Sequence, residues 1–218
     1  MPRNDEEKKI EMMIKIKVCG MKQAANIAAV AELQPDYLGF IFYQKSPRYI
    51  SEVSAELIKY VPPTIKTTGV FVDEEVQIVK QYILKYNLKA VQLHGKESVA
   101  YCQELKSTGV EIIKAFGVDE NFDFSPLESY LNTVDYFLFD TQTPAHGGSG
   151  KAFDWGLLAN YPFQKPYFLS GGIDLPHAET IKNINDVRLY AVDVNSKFEL
   201  EPGLKDVERL MEFFNNMK

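Results

Sequence analysis

Two side chains carry the chemistry open to this sequence, a thiol and a carboxyl. Cys19 closes the run Ile14-Lys15-Ile16-Lys17-Val18, and Asp140 closes Tyr136-Phe137-Leu138-Phe139. Both runs have the β-branched and aromatic character of buried strands, so each ends on a reactive group. At the carboxyl ends of two parallel strands, a thiol and a carboxyl can face one pocket. One can then take a proton from carbon while the other gives one to oxygen, a pairing that suits an isomerase. Each has a plainer reading. A free cysteine is commonly a small buried hydrophobe, and a carboxylate after an apolar run can cap a helix or pair with an internal lysine. Alternation puts Lys15, Lys17 and Cys19 on one strand face, where Lys17 is expected to stabilise the thiolate and lower its pKa. Cys102, within residues 98–105, reads as core.

The elements that must position these groups recur at even spacing. Short apolar runs begin near Ile14, Tyr37, Lys66, Ala90, Glu111, Tyr136, Tyr167 and Leu189, 21 to 31 residues apart. Helical patterns fill most gaps, over residues 22–33, 51–60, 75–86, 98–105 and 176–183, with a last one over 203–216. The fifth is short, near 127–131, and the sixth is squeezed into 154–159. Alternation of strand and helix implies βαβ units and a parallel sheet. Eight units within 218 residues predict an α/β fold, a single-domain (β/α)8 TIM barrel over residues 12–218. The rival is an open doubly wound sheet, which usually has fewer strands and a GxGxxG turn after the first; here Gly20 stands alone. Residues 1–11 are polar, lack the apolar core of a signal peptide and read as a loose extension, with Met12 or Met13 as a natural start.

In such a barrel the chemistry sits where strands end at their carboxyl side. Several further groups fall there. Ser46-Pro47-Arg48 follows the second strand, and an arginine suits bidentate binding of a carboxylate. His94 ends Val91-Gln92-Leu93, as a polar pocket residue or a satisfied structural histidine. Asp193 ends the eighth strand. Ser170-Gly171-Gly172 and Val194-Asn195-Ser196 close strands seven and eight, the usual phosphate site of this fold, with glycines that let backbone N–H groups approach an anion. The loop after Asp140 holds Gly147, Gly148, Ser149, Gly150 and Lys151. It fails as a P-loop, with Ala145 at the first glycine position and Ala152 after the lysine. It reads as a mobile lid that brings Lys151 to substrate, or else as a solvated loop. His146 and His177 read as solvent-facing.

Composition excludes other classes. The net charge of −6 without a basic block argues against nucleic-acid binding. No apolar run is long enough to span a membrane. Two cysteines and three histidines without metal-ligand spacing give neither a disulfide framework nor a metal motif, and fit a reducing cytoplasm.

At these positions the chain resembles the phosphoribosylanthranilate isomerases of tryptophan biosynthesis, from roughly Ile14 to the C-terminus. The motifs occur in order: Lys17-Val18-Cys19-Gly20, Gly39-Phe40-Ile41-Phe42, Ser46-Pro47-Arg48-Tyr49, Gly69-Val70-Phe71-Val72 and Val91-Gln92-Leu93-His94-Gly95. Phe139-Asp140-Thr141, the 147–151 loop with Phe153-Asp154-Trp155, Ser170-Gly171-Gly172 and Ala191-Val192-Asp193 follow. The resemblance implies a (β/α)8 barrel, no cofactor, a small phosphorylated substrate and a monomer or homodimer. It implies the Amadori rearrangement of N-(5-phosphoribosyl)anthranilate to 1-(2-carboxyphenylamino)-1-deoxyribulose 5-phosphate. Asp140 would be the general acid, Cys19 the general base and Arg48 the holder of the anthranilate carboxylate. Lys17, His94 and Asp193 would line the substrate pocket, and Gly171, Gly172, Asn195 and Ser196 would bind phosphate. One departure is Lys197 after Ser196, where the family usually has glycine. The barrel isomerase of histidine biosynthesis is similar but pairs two aspartates, against Cys19 here. A catalytically silent phosphate-binding barrel would lack one of the acid–base pair.

Overall fold

Eight parallel strands pair in chain order and close on themselves: β1 (Lys15–Cys19), β2 (Tyr37–Ile41), β3 (Lys66–Phe71), β4 (Ala90–Leu93), β5 (Glu111–Val118), β6 (Tyr136–Thr141), β7 (Tyr167–Leu169) and β8 (Leu189–Val194). The seam is β1 against β8, with Lys17 opposite Asp193. The computed structural model describes residues 13–142 and 153–218. The 1–11 extension, His146 and the glycine-rich 147–151 loop lie outside the described residues.

The strands are apolar on both sides because both sides are covered. Their outward residues, such as Ile16, Val18, Leu38 and Val91, pack in one cluster with helix residues such as Ile27 and Leu210. Inward residues Tyr37, Ala90, Ile113, Leu138, Phe168 and Ala191 form a separate cluster that plugs the barrel. Two residues further along the same strands the interior turns polar: Gln92 follows Ala90, Asp140 follows Leu138 and Asp193 follows Ala191. The two-residue period of a strand thus converts a packed floor into a reactive layer at the carboxyl ends.

The connecting helices are α1 (Ala24–Glu32), α2 (Glu52–Ala55), α3 (Val76–Tyr86), α4 (Val99–Lys106), α5 (Ala178–Lys182) and α6 (Val207–Met217). Units five and six carry single 3-10 segments, Ser125–Tyr130 with Pro126 in its first turn and Trp155–Asn160. The pattern over 51–60 splits into α2 and a 3-10 stretch, Glu56–Tyr60. One expectation needs correction. The predicted helix over 203–216 begins only at Val207, and the residues before it pair as a hairpin of β9 (Glu199–Glu201) and β10 (Leu204–Lys205). Gly203, at φ +90°, turns that hairpin. Asp206 then caps α6 by accepting from the Arg209 backbone N–H at 3.0 Å. Among the described residues no helix is long and apolar enough to cross a membrane.

Candidate active site

The polar layer is wired together by one chain of contacts. Lys17 is fully buried and donates to Asp193 Oδ2 and to Gln92 Oε1, both at 2.7 Å. Burial works against its charge, but Asp193 and the neighbouring Cys19 hold the ammonium above its ordinary pKa. Gln92 Nε2 lies 2.9 Å from His94 Nδ1. His94 Nε2 in turn lies 3.5 Å from Asp140 Oδ2. Asp140 Oδ1 accepts the Thr141 backbone N–H at 2.8 Å. Burial and the charge of Asp193 push the Asp140 carboxyl up to about 6, against the Thr141 N–H, Lys17 and Ser170, which favour the ionised form. A carboxyl in that range can hold a proton near neutrality and give it up. Asp193 Oδ1 is buried without a hydrogen-bond partner among the described residues.

Cys19 is buried at the end of β1, opposite Gly39 of β2. A Cβ at Gly39 would stand 2.7 Å from the Cys19 sulfur, so the glycine is what makes room for the thiol. Gly20, at φ +82°, turns the chain away immediately after it, and its N–H donates to Gly39 O at 2.9 Å. The expected depression of the thiol pKa is not the net outcome. Burial outweighs the attraction of Lys17 and Lys205 and pushes the thiol above its ordinary value of 9.0.

Arg48 stands at the same end of the barrel, and it is already engaged. Its Nε and Nη2 donate to Glu199 at 2.9 Å and 2.7 Å. Lys205, buried in β10, also donates to Glu199 and to Asn195 Oδ1, each at 2.7 Å. Two cations therefore share one carboxylate, leaving a net positive charge. A Cβ on Gly20 would meet both Arg48 Cδ and Asn195 Oδ1 at 2.8 Å, so that glycine lets the cluster close over the Cys19 end of β1. Gly171 and Gly172 both have left-handed φ, +86° and +65°, just past β7. Asn195 and Ser196 stand just past the adjacent β8, and Lys197 is exposed in the single 3-10 turn Ser196–Phe198.

Sequence reasoning missed several supporting residues. Gln92 shares the face of His94 by the two-residue period, the one signal that could have found it. Glu97 accepts the Asp73 and Gly95 backbone N–H groups and pairs with buried Lys114 at 3.0 Å. Lys114 also donates to Gly95 O at 2.8 Å, so the turn carrying His94 is rigid. Next to it opens a cavity of about 490 Å³ lined by His94, Lys96, Lys114, Phe116, Tyr130 and Gln142. His177 is half-buried rather than solvent-facing: its Nδ1 accepts the Asp174 backbone N–H at 2.9 Å, and its ring packs edge-on against Trp155. Cys102 is fully buried in α4. Among the described residues no group of three or more His, Cys, Asp or Glu side chains could hold a metal ion.

A closed eight-stranded parallel barrel whose polar side chains gather at its carboxyl end defines the chain as a (β/α)8 barrel of the enzyme class. The profile of the family described as N-(5'phosphoribosyl)anthranilate (PRA) isomerase matches residues 16–216, and the chain belongs to that family. An N-(5'-phosphoribosyl)anthranilate isomerase of Parabacteroides distasonis is 42% identical over 206 residues, covering 93% of this chain and 92% of that one. The crystal structure of the Thermotoga maritima phosphoribosyl anthranilate isomerase superposes with a TM-score of 0.84 at 36% identity, covering 94% of this chain and 98% of that one. A second structure of such an isomerase, in complex with reduced 1-(o-carboxyphenylamino)-1-deoxyribulose 5-phosphate, gives a TM-score of 0.78 at 32% identity over the same shares.

Proposed function

We propose that this protein catalyses the Amadori rearrangement of N-(5-phosphoribosyl)anthranilate, with Asp140 as general acid and Cys19 as general base. Asp140 protonates the ribose ring oxygen, the C1–O bond breaks, and the anthranilate nitrogen lone pair closes to a protonated Schiff base. Cys19, as thiolate, takes the proton from C2, and that electron pair forms the enolamine. Proton transfer to C1 and loss of the enol proton give the ketone. All electrons move within the substrate, so the step balances without an external oxidant or reductant.

The observation that carries this reading is the burial of Cys19 and Asp140 at the ends of β1 and β6, with Lys17, Asp193, Gln92 and His94 between them. The excess positive charge at Arg48 and Lys205 suits the anthranilate carboxylate, which Arg48 would meet through the Nη1 side that Glu199 leaves open. Backbone N–H groups at Gly171 and Gly172, with Asn195 and Ser196 beside them, suit the phosphate. The unpartnered Asp193 Oδ1 suits a sugar hydroxyl. Residues 12–218 would be the catalytic unit. The fluorescence of phosphoribosylanthranilate should fall with protein present and persist with Cys19→Ala or Asp140→Asn. Failure to complement a tryptophan auxotroph lacking this step would count against the activity.

A further inference from the structure

Lysine can donate hydrogen bonds but cannot accept them. Lys17 Nζ, 2.7 Å from Gln92 Oε1, therefore fixes which way the Gln92 amide points, with its oxygen toward the lysine and its NH2 toward His94. That NH2 is also donor-only, and it faces His94 Nδ1 at 2.9 Å. The ring nitrogen receiving it must carry a lone pair. The proton of a neutral imidazole then sits on Nε2, the atom facing Asp140 Oδ2.

We infer that Gln92 is a positioning residue that locks His94 as the neutral Nε2–H tautomer, a donor to the Asp140 carboxylate that forms when the acid has given up its proton. This rests on the acid role proposed above for Asp140, and it assigns a function to a glutamine buried two residues before the pocket. The lock matters because a cationic ring would defeat the acid. An imidazolium 3.5 Å from Asp140 would favour the ionised carboxyl before substrate arrived. A neutral N–H donor stabilises the product carboxylate by a hydrogen bond without placing a full charge beside it. Lys17 makes the arrangement hard to undo, since flipping the Gln92 amide would turn its NH2 against the ammonium, donor to donor. Other ionisable groups bear on the ring. Asp140 comes from β6, while Lys17 and Asp193 reach it through Gln92. Lys96 and Lys114 line the adjoining cavity, Lys114 neutralised by Glu97.

The test is 15N NMR of the imidazole side chains in the whole chain, with His94 assigned by the signals lost in His94→Gln. Wild type should show an unprotonated Nδ1 and a protonated Nε2 at neutral pH. A protonated Nδ1 overturns the inference directly, without any variant and without any turnover. Gln92→Glu keeps the Lys17 contact but presents a carboxylate to the ring, so both nitrogens should become protonated. The kcat should then fall at least about tenfold, with KM within about twofold. Gln92→Leu removes the donor and should leave a mixture of tautomers. Unchanged ring protonation in Gln92→Glu, or altered protonation with wild-type kcat, would overturn the inference. The spectrum reports the lock even if the substrate proposed above is not turned over, so the two readings fail separately.

Discussion

At the scale of single residues, the site is built from groups that burial makes uncomfortable. The Asp140 carboxyl lies at about 6 against an ordinary 3.8, so the folded state holds that proton more tightly than the unfolded chain does. Its contribution to stability is present below the unfolded pKa and lost as pH rises through the folded one. Asp140→Asn, neutral at every pH, should therefore lose about 10²–10⁴-fold in turnover while gaining up to about 3 kcal/mol of stability above pH ~6 and almost nothing below pH ~4. Thermal unfolding at the two pH values measures this, and a variant less stable than wild type at neutral pH would contradict it. On the proposed mechanism the active form needs Asp140 protonated and Cys19 ionised, although the carboxyl is the stronger acid of the two. The population of that form rises up to about pH 6, stays flat, and falls only beyond the raised range of the thiol. The expected pH profile of kcat/KM has that shape; in Asp140→Asn the break near pH 6 should vanish, with the residual turnover rising up to the raised range of the thiol and not falling beyond it. For Arg48→Ala, KM should rise about 10- to 150-fold with a smaller change in kcat, because a carboxylate contact is made in ground and transition states alike. An unchanged KM would remove Arg48 from the carboxylate site. These three residues were legible because each closes or follows a readable strand. The sharing of Glu199 between Arg48 and Lys205 was not, since it joins residues 151 apart in sequence through a hairpin that the helical pattern concealed.

At the scale of elements, alternation along the strands does the positioning, and it was also what made the fold readable. Seven of the eight strands begin on the residue where the apolar runs do, and β1 begins one residue later. Parallel strands buried on both faces announce themselves as continuous apolar runs. The helical returns were less legible where they are short. Trp155–Asn160 has room only for a 3-10 turn, and the hairpin before α6 depends on a single left-handed glycine. Register makes a further prediction. Because Cys19 pairs with Gly39 and the thiol occupies the space a side chain there would need, Gly39→Ala must push the sulfur or the β1 backbone, whose Cα would be 3.1 Å away. The cost should be about 1–3 kcal/mol of stability, with turnover falling further than stability alone accounts for, since the proposed base is displaced. Alkylation of Cys19 by iodoacetamide, compared with turnover in the same samples, separates displacement from unfolding. A Gly39→Ala enzyme with wild-type kcat would show that the strand pair has slack.

At the scale of the whole molecule, the barrel must be closed by its last unit, and that unit also carries part of the site. The last helix, α6, packs against α1 and α5 and buries Leu210, Phe213 and Phe214. Phe213 is fully buried and meets the ring of Phe198 edge-on at 5.1 Å. Phe198 ends the 3-10 turn that begins beside Asn195 and leads directly into Glu199, the carboxylate shared by Arg48 and Lys205. One aromatic contact thus ties the closing helix to the loop that sets the cation cluster. Phe213→Ala should cost about 3–5 kcal/mol, a large share of the roughly 5–15 kcal/mol typical of a folded domain. For a chain of this size the melting temperature should fall by about 6–20 °C. Met211, on the same helix but 49% exposed, supplies the control: Met211→Ala should stay within about 0.5 kcal/mol of wild type. If the link to the site is real, Phe213→Ala assayed well below its melting temperature should also raise KM, because Glu199 no longer holds Arg48 in one place. A destabilised variant with wild-type KM would mean that α6 closes the barrel without steadying the substrate end of it.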